Sequence, residues 1–177
     1  GAMIGAGEPE RIRRLIRFLH TSLEDRRRRA AATERQPADP ALVFLLDDYP
    51  GLKAALDDAG DHRLLDSLGR VMSDGPGLGI YTIATAKRAS AFPTAVASVV
   101  GEKLVMSLAD PAELSTFGLF GSAIPTFVPG RGINVATGHE VHIATPIDVD
   151  SIGGHSTRAP VPIEVLSEQV KLADVID

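Results

Sequence analysis

Apolar and polar positions alternate along this 177-residue chain with two different periods. From Glu10 to about Ala32 the apolar positions Ile12, Leu15, Ile16, Leu19 and Leu23 recur at helical spacing, which predicts an amphipathic helix. Glu8, Pro9 and Glu10 suit its first turn, and Arg26 to Arg29 suit its last, where they complement the helix dipole. A polar, proline-containing connection runs from Thr33 to Pro40. Ala41 to Leu46 is then apolar throughout and stops on two carboxylates, Asp47 and Asp48. Bounded by Pro40 and by Asp-Asp-Tyr-Pro-Gly, it reads as a buried parallel strand.

Pro50-Gly51 opens a short helix through Ala59, and a longer one is predicted from His62 to about Ser73, with Leu64, Leu65, Leu68, Val71 and Met72 facing inward. Asp74 to Gly79 turns into a second apolar strand, Ile80 to Ala84. Strand, helical segment and strand make one βαβ unit, hence a parallel sheet with a right-handed crossover. Lys103 to Leu108 is a third strand candidate. Asp110-Pro111 marks a helix start running to about Phe117. Pro129 to Gly132 reads as a tight loop, and Thr137-Gly138 turns Ile133-Asn134-Val135 back into Glu140 to Ala144 as an antiparallel edge hairpin. Beyond Pro146 the tail reads as a linker with one docking strand at Ile163 to Leu166. No internal repeat and no low-complexity segment is present.

Composition narrows the class. An apolar share of 44% with mean hydropathy of +0.09 is that of a globular protein. No apolar run approaches the ~20 residues of a membrane span, and no secretory signal pattern opens the chain. Zero cysteines excludes disulfides and thiolate metal sites and agrees with a cytoplasmic address. Aromatics at 5% argue against base-stacking platforms for single-stranded nucleic acid. The net charge of −5 hides an asymmetry: residues 8–35 carry nine of the eighteen bases against five acids, and the remainder is correspondingly acidic. A basic face of this kind suits a nucleic acid or an acidic neighbour, or is simply a solvated helix face.

The chemistry-bearing positions lie at strand ends. Carboxylates at the C-terminal end of a parallel strand sit where open α/β sheets bind ligands. There, Asp47 would hold Mg²⁺ through water and Asp48 would polarise a nucleophilic water. The competing reading is a strand that ends in turn-forming acids, and the pattern alone leaves both standing. Thr85-Ala86-Lys87-Arg88 leaves the second strand, and its hydroxyl and cation gain meaning only if the two strands are neighbours. The phosphate-cradling loop G-x-x-x-x-G-K-[ST] is absent, because none of Lys53, Lys87, Lys103 and Lys171 follows a glycine. Gly75-x-Gly77-x-Gly79 precedes a strand, whereas the dinucleotide motif follows one. His139 and His142, three apart in a predicted strand, point to opposite faces and make a poor metal pair.

The ordered string decides more than any single motif. Leu45-Leu46-Asp47-Asp48-Tyr49, Gly79 to Arg88, Leu108-Ala109-Asp110-Pro111-Ala112-Glu113, Phe117-Gly118 and Pro129-Gly130-Arg131-Gly132 follow one another at sensible distances. Together they resemble the C-terminal part of an FtsK/SpoIIIE-type motor ATPase domain. The likeness is greatest to the actinobacterial multi-domain branch that includes EccC, the type VII secretion ATPase. The resemblance covers nearly the whole chain. It implies an α/β fold with an incomplete RecA-like P-loop NTPase core, a mostly parallel sheet and an antiparallel edge hairpin. It divides the chain into a partial ATPase domain over 1–146, with its basic helix at 9–32, and a linker with docking strand over 147–177.

By the same resemblance Asp47 falls on the Walker B metal acid and Asp48 on the catalytic acid, while Thr85 and Arg88 fall on the sensor segment that reads Thr-Gln-Arg in the DNA motors. It implies ATP and Mg²⁺ as cofactors of the parent protein, hexameric rings, and cargo that is double-stranded DNA or a secreted-protein signal segment. Partners would be further copies or other ATPase modules, and the address the cytoplasmic face of a membrane. Three departures stand out. The Walker A loop is missing, the second acid is Asp where the DNA motors have Glu, and Lys103 replaces an arginine near Gly101-Glu102. The chain is therefore expected to contribute half of a motor's site and to be inactive alone; the alternative is a degenerate module that docks a signal segment or regulates a neighbouring ATPase. Without its phosphate-loop half the sheet is expected to show an apolar edge that another chain or a swapped element covers.

Overall fold

The computed structural model describes residues 3–32, 39–121, 124–144 and 163. The chain forms helix α1 (Pro9–Ala32), strand β1 (Leu42–Leu46), helices α2 (Tyr49–Asp58) and α3 (His62–Asp74), strand β2 (Ile80–Ala84), the single turn α4 (Thr94–Ala97), and strands β3 (Leu104–Val105), β4 (Arg131–Asn134) and β5 (Glu140–His142). The connection at 33–38, the boundary near 146 and the tail at 147–177 lie outside the described residues, Ile163 excepted. The Ile163 carbonyl accepts from Arg11 Nε at 3.0 Å.

β1 and β2 pair in parallel, Leu42 with Ile80 through Leu46 with Ala84, so the predicted βαβ unit is present with α2 and α3 as its crossover. The apolar stripe of α1 and that of α3 meet over one face of this pair. Ile16, Leu19, Leu23, Phe44, Leu46, Leu64, Leu68, Val71 and Ile80 are buried in a single cluster there. Each such side chain contributes roughly 1.5–3 kcal/mol by leaving water. Gly75 makes the tight passage from α3 to β2: a Cβ on it would lie 2.3 Å from the Val71 carbonyl oxygen and 2.6 Å from that of Ile80.

The expectation that β1 is buried on both faces is corrected. Val43 and Leu45 on β1, and Tyr81 and Ile83 on β2, are exposed, Leu45 to 70%. The three long helices pack against the other face, and among the described residues nothing covers the odd positions of this all-apolar strand.

The expected third strand shrinks to Leu104–Val105 and pairs antiparallel with β4 rather than joining β1 and β2. The hairpin β4–β5 is present, but it belongs to this second, three-stranded sheet, in the order β3-β4-β5. Arg131 and Gly132, expected in a loop, start β4. Around the β4–β5 turn the Asn134 side chain accepts from Ala136 N–H at 2.9 Å, an Asx turn that shapes the connection. A small core of Val105, Leu114, Leu119 and Ile133 underlies it. Asp110 caps the following helical segment as expected, accepting from Ala112 N–H at 2.9 Å, though residues Pro111–Phe117 wind as a 3₁₀ helix.

Candidate functional site

The parallel register carries the chemistry. With Leu46 opposite Ala84, the next residues along, Asp47 and Thr85, leave the sheet side by side at its C-terminal end. The Thr85 N–H still donates to the Leu46 carbonyl at 2.9 Å, and the Tyr49 N–H returns to the Thr85 carbonyl at 3.0 Å. Between them the Thr85 hydroxyl donates to Asp47 Oδ1 at 2.6 Å and accepts from the Asp48 N–H at 2.9 Å. One hydroxyl thus ties both acids of one strand to the exit of its neighbour. A hydrogen bond to a carboxylate is roughly twice as strong as a neutral one, so this contact orients Asp47 firmly.

Asp48 occupies the N-cap place of α2 with left-handed backbone, φ 58° and ψ 65°, and its side chain accepts no capping hydrogen bond. Asp tolerates that region better than most residues, at a cost in strain. The carboxylate lies over Gly51 in the first helical turn. Tyr49, buried, stacks on Phe92 with ring centroids 4.8 Å apart, holding the start of α2 against the segment that follows β2. Burial pushes the Tyr49 phenol above its ordinary value.

Asp47, Asp48, Thr85, Ala86 and Lys87 line an open hollow of about 400 Å³. Of the four residues expected at the site, three converge here. Arg88 is exposed and outside this lining; its neighbour Lys87 is the cation beside the acids. Strand β2 ends at Ala84 and the chain bends at Lys87 and Arg88, so three consecutive residues, Thr85, Ala86 and Lys87, reach the hollow. Gly51 was missed because its role depends on the backbone of Asp48, three residues back.

The residues present fit part of a Mg²⁺-nucleotide site. Asp47 Oδ2 takes no hydrogen bond among the described residues, which leaves it open to a cation's water shell. Mg²⁺ keeps several waters and needs few carboxylates; no group of three or more His, Asp or Glu gathers among the described residues. No backbone cradle for phosphates accompanies the acids in the sequence.

The arginine-rich end of α1 is engaged internally. Arg27 reaches Asp74 at 2.6 Å and Arg29 reaches Asp39 at 2.8 Å, while Arg28 pairs with Asp25. Arg26, buried, donates to the carbonyls of Pro40 at 2.7 Å, Leu78 at 2.8 Å and Gly79 at 2.9 Å. No helix among the described residues is long and apolar enough to cross a membrane.

No family model matches the chain, and no curated protein matches it. Among solved structures it is similar to EssC (ATPases 2 and 3) from Geobacillus thermodenitrificans, with a TM-score of 0.56 and 23% identity over 73% of this chain and 26% of that one. The chain thus spans about a quarter of the structure it matches. The likeness concerns the fold: a helix-and-strand domain with a small parallel sheet and an antiparallel sheet, a partial RecA-like fold.

Proposed function

We propose that this chain is part of an ATP-driven FtsK/SpoIIIE-type translocation motor, contributing the metal acid, the water-orienting acid and the sensor segment, with the phosphate loop supplied from elsewhere. The observation that carries the reading is the Thr85 hydroxyl bound between Asp47 and the Asp48 N–H at the C-terminal end of the parallel pair. A strand end of turn-forming acids has no need of that cross-strand tie. Bound Mg²⁺·ATP supplies the phosphoryl group and the cation that neutralises developing charge. Asp47 would hold the hydrated cation, Asp48 would accept from the attacking water, and Thr85 with Lys87 would sense the terminal phosphate. Arg88, next in the chain, is a further cation for the same phosphate. Cargo is a secreted-protein signal segment or double-stranded DNA; internal pairing of Arg27, Arg28 and Arg29 favours the former. The address that suits such a motor is the cytoplasmic face of a membrane, among further copies or other ATPase modules.

A degenerate, non-hydrolysing module is the second reading, favoured by the short reach of Asp48 and by its carboxylate resting against its own helix. One set of measurements separates the two. The 177 residues alone are expected neither to bind nor to hydrolyse ATP detectably. The full-length natural chain is expected to hydrolyse ATP with Mg²⁺ and to lose turnover on Asp47→Ala. Turnover by the 177 residues alone would sink the first reading, and full-length binding without turnover would select the second.

A further inference from the structure

Asp48 stands at the N-cap of α2 without acting as a cap. An acid at this place ordinarily has extended backbone and accepts from the second or third helical N–H. Here the backbone is left-handed, and Asp48 is the one non-glycine residue with positive φ among those described. That turn swings the carboxylate over the first turn of α2, and it comes to rest on Gly51. A Cβ built on Gly51 would lie 2.5 Å from Asp48 Oδ2 and 3.1 Å from its Cγ. The first is closer than real Cβ atoms come and the second is tight; the group met is the far end of an exposed side chain, so a methyl on Gly51 displaces the Asp48 carboxylate from this place rather than disturbing the helix.

Backbone freedom does not explain this glycine. Gly51 is absent from the positive-φ residues and sits in ordinary helix. Glycine is the poorest helix former after proline, so its presence in a first turn runs against local preference. Breaches of local preference without a backbone reason concentrate at functional positions. The other side of the same turn is pinned by the Tyr49 N–H on the Thr85 carbonyl and by the Tyr49–Phe92 stack.

We infer that Gly51 is a positioning residue: its bare Cα is the seat that holds the Asp48 carboxylate at the positive end of α2 with both oxygens unspent. A capping hydrogen bond would consume an oxygen that a water-orienting acid needs, whereas a van der Waals seat orders the group and leaves it available. The consequence for turnover rests on the reading of Asp48 proposed above; the seat itself is a matter of packing.

Thermal unfolding of four chains tests it: the natural one, Gly51→Ala, Asp48→Gly and the double variant. In the Asp48→Gly background, which keeps the left-handed backbone and removes the carboxylate, Gly51→Ala raises the midpoint, because alanine is the better helix former. With Asp48 present the carboxylate must leave its place, and the midpoint ends about 2–4 °C lower relative to that gain. Effects of equal size in both backgrounds overturn the inference. Should Gly51→Ala fail to fold, a folded double variant supports the seat and an unfolded one overturns it. In the full-length chain, with ATP and Mg²⁺ as probes, Gly51→Ala lowers kcat on the order of 10²-fold while KM stays unchanged. Turnover indifferent to Asp48→Asn removes the catalytic reading of Asp48 while the difference between the two backgrounds stands, so the two failures are separable.

Discussion

At the residue scale the site turns on one hydroxyl. Thr85 is exposed, so removing its oxygen leaves Asp47 Oδ1 and the Asp48 N–H within reach of water rather than stranded. Thr85→Val is therefore expected to cost only about 1 kcal/mol in chemical denaturation, while turnover of the full-length chain falls and Thr85→Ser restores it. An equal loss in both measurements for Val and Ser would assign Thr85 to packing alone. The acids were legible in the sequence because an all-apolar run that ends on two carboxylates is a local pattern. Thr85 was legible conditionally, as the residue after the second apolar run, and the condition was that the runs pair. The approach of Asp48 to Gly51 and the place of Lys87 in the hollow were not, since each depends on backbone torsions set by the folded corner.

At the scale of elements, α1 does more than cover the sheet. Its apolar stripe was evident from spacing, and so were its ends. Its arginine cluster read as a solvated face ahead of a binding one, and the structure divides the cluster by burial. Arg26 closes the start of β1 and the approach to β2 by serving three carbonyls, with Asp39 near its Nε at 3.9 Å. Replacing it with Met strands those carbonyls, and the expected loss is about 3 kcal/mol in urea unfolding. Lysine is a poor substitute, because a single ammonium lacks the planar fork that spans the three oxygens. Arg28→Ala, whose pair is exposed, is expected to stay within about 0.5 kcal/mol of the natural chain. Equal effects of the two substitutions would refute the division.

At the scale of the whole molecule, the even and odd positions of β1 and β2 have different fates. The helices bury Phe44, Leu46 and Ile80, and leave Val43, Leu45, Tyr81 and Ile83 in water. The double substitution Val43→Thr and Ile83→Thr is thus expected to change stability by less than about 0.5 kcal/mol and to reduce light scattering at high protein concentration; a large loss of stability would mean that this face is packed. Acid sensitivity follows from the surface pairs. Lys53 holds the Asp57 carboxyl, and Ser73 with Arg27 the Asp74 carboxyl, below the ordinary value of 3.8. Folded carboxyls of this kind bind protons less readily than unfolded ones, so the stability they add is present above that value and is lost as pH falls through their lowered values. Thermal midpoints should hold between pH 7 and about 5 and decline below about 4, more steeply at low salt; a midpoint flat to pH 2 would count against the pairs. By itself the sequence determined the three long helices, strands β1 and β2, and that two acids end the first strand, because apolar periodicity, caps and turn residues act over a few neighbours. Only the tertiary structure decided that β1 and β2 lie side by side, that Lys103 to Leu108 yields a rung of another sheet, and that one strand face is left uncovered by the described residues. Those are outcomes of pairing and coverage between distant segments, which no local pattern encodes.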